Sequence, residues 1–352
     1  MTKSADKQNY LLAELNELTK FHYSHCEPYK QMLSKSNHAL EVTNLEEIPF
    51  LPVQLFKMLA LHSIEENDIF KVLTSSGTTG QQVSKIYLDK DTAKAQTKAL
   101  VEVMTPLLGK KRLPMIMIDT KNVLKDRKSF SARGAGILGF SNFGRRHFYL
   151  LHDDMTIDWD GLNEFLEQHK DERVLLFGFT FMIWQYFYQA ALSKGIKLNL
   201  KDSVLIHGGG WKKLKDQSVS NERFKDMLFQ QFGIQSIHNY YGMVEQVGSI
   251  FVECPKGHLH TPVYADVIIR DPLSFQPLPF GEQGLIQVLS TLPKSYPGHS
   301  LLTEDLGTIH GEDDCSCGWK GKYFSVAGRI PKAELRGCSD TFAFDKKVGK
   351  TI

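Results

Sequence analysis

Cysteine is scarce in this sequence: Cys26, Cys254, Cys315, Cys317 and Cys338 are five among 352 residues. So sparse and odd a set excludes a disulfide frame and leaves reduced thiols, a metal site or a nucleophile. Excess charge is also missing. With 42 basic and 40 acidic side chains the formal charge is +2, so neither nucleic acid nor an anionic membrane is expected as a partner. No apolar run follows Met1-Thr2-Lys3-Ser4-Ala5-Asp6, so a secretory signal is not expected and the expected location is cytoplasmic. Internal repeats and low-complexity tracts are absent. One stretch, Val174–Leu192, runs 19 residues without a charge, close to spanning length. Its internal order argues against a span: Val174–Phe177 reads as a buried strand, Gly178 as a turn and Phe181–Leu192 as an aromatic helix.

The composition that is there, 42% hydrophobic and 23% charged, is that of a globular chain large enough for one big domain with an appendage, or two domains. Residues 1–70 read as a mainly helical segment, with Leu11, Leu12, Leu15 and Leu18 on one stripe. From 71 to 250, strand-like and helix-like pieces alternate: Lys71–Leu73, Ile86–Leu88, Asp91–Leu108 with Thr92 as its cap, Pro114–Asp119, Val174–Phe177, Val204–Ile206 and Glu222–Phe232. That alternation predicts an α/β core with parallel strands and covering helices. Residues 251–330 change to short β-like pieces such as Val263–Ile269 and Gly284–Leu289, and 331–352 form a tail.

The loop Thr74–Gly80 (Thr-Ser-Ser-Gly-Thr-Thr-Gly) offers five Ser/Thr hydroxyls beside two glycines, straight after a strand. Glycines let the backbone approach a ligand and successive N–H groups form an anion-binding concavity. No Gly-Lys-Ser/Thr follows at the Walker spacing. His207-Gly208-Gly209-Gly210-Trp211 comes next. It has the look of a lipase oxyanion motif, but no Gly-x-Ser-x-Gly elbow accompanies it. Then come Asn239-Tyr240-Tyr241-Gly242-Met243-Val244-Glu245, Thr303-Glu304-Asp305-Leu306-Gly307 and Gly328-Arg329. In this order they resemble the core motifs of the adenylate-forming superfamily. Leu73–Gly80, Ser141–Arg146, Tyr240–Glu245, Glu253–Pro262 and Gly328–Asp340 are similar, more closely, to the LuxE family of acyl-protein synthetases. Phenylacetate–CoA ligases are a second relative.

The resemblance implies roles. Ser75, Ser76, Gly77, Thr78, Thr79 and Gly80 would embrace ATP phosphates. Gly208, Gly209 and Gly210 would lie beside the adenine, and Tyr241 and Gly242 under the nucleotide. Glu245 would help hold Mg²⁺, Asp305 would accept from the ribose hydroxyls, and Arg329 would stand near the same sugar. Hard oxygen donors suit Mg²⁺, and a carboxylate attacking phosphate needs its repulsion screened. Only 23 residues follow Arg329, so the superfamily's C-terminal domain, with its lysine, is expected to be missing or vestigial. The tail does carry Glu334-Leu335-Arg336-Gly337-Cys338-Ser339-Asp340, similar to the family segment whose cysteine takes the acyl group. A thiolate attacks an acyl phosphate anhydride well and its thioester remains transferable.

Separately, Cys254, His258, His260, Cys315 and Cys317 form two short clusters in turn-rich sequence. Three sulfurs and one imidazole make a closed tetrahedral zinc site. Spacing leaves His258 and His260 open, and the resemblance to phenylacetate–CoA ligases favours His260. The expectation is therefore a ligase. ATP and a fatty acid, held between the aromatic unit Phe177–Tyr188 and the nucleotide loop, give acyl-AMP. Cys338 takes the acyl group, and a fatty-acyl reductase receives it. The alternatives are an aryl- or fatty-acid–CoA ligase and a nucleotide-binding scaffold of a reductase complex.

Overall fold

The computed structural model describes residues 4–36, 38–75, 83–124 and 132–330. The chain opens with helices α1 (Ser4–His25) and α2 (Glu27–Ser36), the short strand β1 (Leu51–Pro52) and one turn of helix, α3 (Leu55–Met58). Strands β2 (Lys71–Thr74) and β3 (Lys85–Leu88) form a separate antiparallel hairpin, and helix α4 (Lys90–Leu108) follows. Next come β4 (Leu113–Thr120), α5 (Ala132–Ser141), β5 (Gly144–Leu151), α6 (Trp159–Gln168) and β6 (Leu175–Phe179). A helical stretch over 180–193 then has α-helical ends, α7 (Thr180–Met182) and α8 (Gln189–Ser193), around a π-helical middle, Ile183–Tyr188. Strand β7 (Val204–Gly208), helix α9 (Asn221–Phe232) and β8 (Ser236–Tyr241) complete the alternating part. Six strands follow: β9 (Phe251–Glu253), β10 (Leu259–His260), β11 (Ala265–Arg270), β12 (Gln283–Ser290), β13 (Ser300–Glu312) and β14 (Lys322–Arg329).

Among the described residues one 12-stranded sheet carries the fold, in the order β11-β12-β13-β14-β10-β9-β8-β7-β6-β4-β5, with β1 paired to β13. Strands β4 to β8 are parallel and β9 to β14 antiparallel. The expected α/β class with a β-rich region is what the structure has. Strands β4, β6 and β7 are covered on both faces, which is why Met115–Ile118, Leu175–Phe177 and Val204–Ile206 are apolar throughout and inaccessible to solvent. Helix α9 starts at Ser220, whose hydroxyl accepts from the Arg223 N–H, and stops at Gly233 in the left-handed conformation.

One local expectation needs correction. The cap of α4 is Asp89, whose carboxylate accepts from the Thr92 N–H. Thr92 is inside the helix and buried. The strand–helix unit that contains Phe177–Tyr188 is largely buried, as its apolar run implies. Trp184 stacks on Tyr188 and meets Trp211 edge-on, and Phe187 stacks on Phe232 of α9. Among the described residues no helix is long and apolar enough to cross a membrane.

Candidate active site

In a parallel sheet, ligands bind beyond the carboxyl ends of the strands. Here those ends present Phe179 from β6, Gly208 from β7 and Tyr241 from β8. Gly208 faces Tyr240 across the β7–β8 ladder. A Cβ on Gly208 would lie 2.5 Å from the Tyr240 ring, so only glycine lets that ring close over the strand. Gly209 follows with φ +74°, and nothing lies within 4 Å of a Cβ at Gly210. The chain therefore leaves β7 as a bare backbone turn open to a planar ligand. The imidazole of His207 faces the other way. It is buried, with Nδ1 3.0 Å from the Thr180 hydroxyl, and its ring lies against Phe224. Burial pushes its pKa down to about 3, so it is neutral and structural. Of the aromatic unit, Phe179 reaches this edge, its ring 3.0 Å from where a Cβ would lie on Gly136 and on Gly209.

At the end of the neighbouring strand β8, Tyr241 meets charge supplied by the antiparallel strands. The Tyr241 hydroxyl donates to Asp305 Oδ2 at 2.7 Å. Asp305 and Arg329 are register partners on β13 and β14, with Arg329 Nε 3.6 Å from Asp305 Oδ1. Burial and then the Asp305 charge hold the Tyr241 phenol well above its ordinary pKa, so it is a permanent donor. Arg329 is 71% exposed, leaving its guanidinium available to a ligand. Gly242 continues the edge, a Cβ there lying 3.0 Å from Ile250.

The hairpin β2–β3 is a sheet of its own. Ser75 closes the base of its loop: its N–H donates to the Ser84 carbonyl at 3.1 Å, and its hydroxyl accepts from the Ser84 N–H at 2.9 Å. Ser76, Gly77, Thr78, Thr79 and Gly80 lie outside the described residues, as does Cys338. Glu245 is buried on the turn Val244–Gln246. Burial raises its carboxyl pKa, opposed by the neighbouring Ser84 hydroxyl and the charges of Lys57 and Arg329. The structure thus brings Glu245 to the foot of the hairpin loop, and Tyr241, Asp305 and Arg329 into one contact set. Sequence reasoning gave no role to Ser84, or to Asp119, a buried carboxylate at the end of β4 that pairs with Arg133 Nε at 3.1 Å. An acid closing the apolar run Pro114–Ile118 was the available signal for Asp119.

A second cluster lies away from this edge. Cys254 follows β9, His260 ends β10, and Cys315 and Cys317 sit in the β13–β14 turn. Their ligating atoms all lie within 4.8 Å of one another. The set contains His260 and not His258, whose Nδ1 is 3.8 Å from Cys315 Sγ.

Comparison with known proteins places the chain. The family model of the acyl-protein synthetase LuxE matches residues 2–346. The chain belongs to the LuxE family. It is 23% identical to a long-chain-fatty-acid–luciferin-component ligase of Vibrio harveyi, over 94% of this chain and 89% of that one. It is also 23% identical to the protein of the same name from Aliivibrio fischeri, over 92% and 85%. Among solved structures, 2-hydroxyisobutyryl-CoA ligase in an open conformation with 2-HIB-AMP and CoA superposes with a TM-score of 0.72 at 15% identity. That match covers 94% of this chain and 76% of the ligase. Its postadenylation state gives 0.73 at 14%, covering 94% and 69%. This LuxE-family chain therefore has the fold of an adenylate-forming ligase, as the ordered motifs led one to expect.

Proposed function

We propose that this LuxE-family chain is a long-chain-fatty-acid–protein ligase working in the cytoplasm, with ATP as its activating substrate. The observation that carries the reading is the Tyr241–Asp305–Arg329 contact set at the end of β8, beside β7 and its bare Gly208–Gly210 turn. It combines a carboxylate that accepts from vicinal hydroxyls with a flat, side-chain-free surface for a base. Asp305 Oδ2 is fixed by Tyr241, so Oδ1 is aimed and preorganised for a ribose hydroxyl. Arg329 stands beside the same sugar. Ser75, Ser76, Gly77, Thr78, Thr79 and Gly80 would bind the phosphates. Glu245 is the hard oxygen donor for Mg²⁺, which, when bound, screens the phosphate charges. A carboxyl whose pKa burial raises is a fitting ligand, because a cation beside it offsets the desolvation of the anion.

In the first step the fatty-acid carboxylate attacks the α-phosphorus, the acyl–O–P bond forms and pyrophosphate leaves with the β and γ phosphates. In the second, the Cys338 thiolate attacks the acyl carbon, forming the thioester and releasing AMP. A thiol or other nucleophile on a fatty-acyl reductase then takes the acyl group and regenerates Cys338. The Cys254, His260, Cys315 and Cys317 cluster takes no part in these steps, and its proposed Zn²⁺ is structural.

Carboxylate-dependent pyrophosphate exchange across a panel of acids tests the first step, with long-chain fatty acids expected to support it. Labelled fatty acid and ATP test the second. Cys338→Ala should keep exchange and lose the covalent label. Full label in that variant would remove the cysteine step, and acyl-CoA formed equally by both proteins when CoA is added would establish a CoA ligase instead. No exchange with any acid would leave a nucleotide-binding scaffold.

A further inference from the structure

We propose that Cys254, His260, Cys315 and Cys317 hold one zinc ion that staples the two halves of the sheet together. The parallel half ends at β8 and the antiparallel half begins its long strands at β14. Between them lie β9 and β10, of three and two residues. Only Leu259–Phe324 and His260–Tyr323 pair β10 with β14, and only Leu259–Glu253 and His260–Val252 pair it with β9. Ladders this short contribute few hydrogen bonds, so this joint is thinly held. All four side chains of the cluster converge on it.

The local geometry is that of a metal knuckle formed twice. The Gly257 N–H donates to the Cys254 carbonyl at 2.9 Å, and the Gly318 N–H to the Cys315 carbonyl at 3.0 Å. Both glycines are left-handed, with φ of +83° and +84°, so the same Cys-x-x-Gly turn is used on both sides. Backbone N–H groups point at the sulfurs as well: Lys256 N lies 3.4 Å from Cys254 Sγ and Trp319 N lies 3.2 Å from Cys317 Sγ. Such donors stabilise thiolates. His260 Nε2 is 3.4 Å from Cys317 Sγ. A tetrahedral zinc with Zn–S bonds of about 2.3 Å needs ligand–ligand edges of about 3.7 Å, which four atoms within 4.8 Å of one another reach with small side-chain shifts. Three sulfurs and a nitrogen select zinc over the hard cations, and four protein ligands close the site, the mark of a structural ion. On loading, the three thiols each give a proton to solvent and the imidazole stays neutral. His258, 3.8 Å from Cys315 Sγ through Nδ1, becomes a donor to a bound thiolate and not a ligand.

The staple has a consequence for the nucleotide site. Asp305 and Arg329 pair at one end of the β13–β14 hairpin, and the turn with Cys315 and Cys317 is at the other. The Tyr241–Asp305 hydrogen bond crosses from one half of the sheet to the other. Zinc therefore fixes the approach of the two halves on which that bond depends.

Protein purified without chelator should contain about one zinc per chain by elemental analysis. His260→Ala should lose stoichiometric zinc, whereas His258→Ala should weaken binding only about tenfold, and Cys26→Ser should keep it in full. Because a ligand variant can fail to fold, the unaltered protein is also stripped under reducing conditions and reloaded with Co²⁺. Thiolate charge-transfer bands and the intense visible bands of a tetrahedral ion are expected, with a fall in melting temperature on stripping that zinc reverses. A zinc-free protein that takes up no Co²⁺ after reduction, or a disulfide among these cysteines in the native protein, overturns the proposal. Stripping should also raise the KM for ATP. That effect rests on the nucleotide reading of Tyr241, Asp305 and Arg329, whereas metal content and melting temperature do not, so the two readings fail separately.

Discussion

Asp305 has one oxygen committed to the Tyr241 hydroxyl and the other 3.6 Å from an exposed guanidinium. In Asp305→Asn the tyrosine still has an oxygen to donate to, so the fold should change little in stability. The lost interaction is a charge-assisted hydrogen bond to ribose, worth about 1.5–3 kcal/mol. The KM for ATP in pyrophosphate exchange should therefore rise about 10- to 100-fold, and an unchanged KM would remove the ribose role from this residue. Glu245 shows a different balance. Its buried carboxyl is held above the ordinary glutamate pKa by desolvation. The native state thus keeps its proton to higher pH than the unfolded chain. Ionisation costs stability as pH rises through that window, and the cost is whole above the raised native-state pKa. Glu245→Gln should melt at a higher temperature than the unaltered protein at neutral pH, the gain fading in acid, while Mg²⁺-dependent exchange is lost. A neutral-pH melting point that does not rise would show that a cation or donor already pairs with the carboxylate in the free protein.

At the scale of elements, β7 and β8 meet so closely at their carboxyl ends that Gly208 touches Tyr240. Tyr240 in turn packs against Phe140 and Phe177, so the ring has little room to yield. Gly208→Ala should cost about 1–3 kcal/mol from overpacking, read from urea midpoints, and should weaken ATP binding because the turn beyond β7 is displaced with it. A variant of unaltered stability would mean that the ring swings clear. The strands that build this edge were legible in the sequence for a simple reason. Burial on both faces makes Met115–Ile118 and Val204–Ile206 continuous apolar runs. Strands β9 and β10 are too short to carry a period, and the π-helical Ile183–Tyr188 keeps the composition of an ordinary helix, so neither was legible. The cap of α4 was misread because Asp89 and Thr92 are both good capping residues and the choice depends on where the chain enters the helix. The Tyr241–Asp305 pair spans 64 residues. No local pattern joins them, and only the order of the motifs placed them in one site. For the metal cluster, spacing left two histidines open, and the three-dimensional donor set chose His260.

The whole molecule is held by buried imidazoles in both halves of its sheet. In the parallel half, His207 on β7 is enclosed beneath α9. In the other half, His22 of α1 stacks on His299 at 5.1 Å. His22 Nε2 donates to the Pro293 carbonyl at 3.1 Å and Nδ1 accepts from the Ser63 hydroxyl at 2.7 Å. The Thr19 hydroxyl donates to the Leu15 carbonyl at 2.8 Å, so it accepts from His299 Nε2 at 3.0 Å. Both rings thereby have their tautomers fixed, and together they moor the first helix to the antiparallel strands. Burial depresses His22 and His207 to about 3 and His299 well below its ordinary 6.5. In the unfolded chain each takes a proton near 6.5, so below that pH the unfolded state binds more protons than the native state. Stability is whole above pH 6.5 and is lost as pH falls toward the native-state values. The loss approaches about 1.4 kcal/mol per pH unit for each imidazole, about 4 kcal/mol per unit for the three. Urea unfolding followed from neutral pH into mild acid should show midpoints falling steeply below pH 6.5. Replacing His299 with Gln should flatten that slope by about 1.4 kcal/mol per pH unit, even where it lowers stability at pH 7. A slope unchanged in the variant would mean that His299 accepts a proton within the fold, and that the contact between the first helix and the sheet opens before the molecule unfolds.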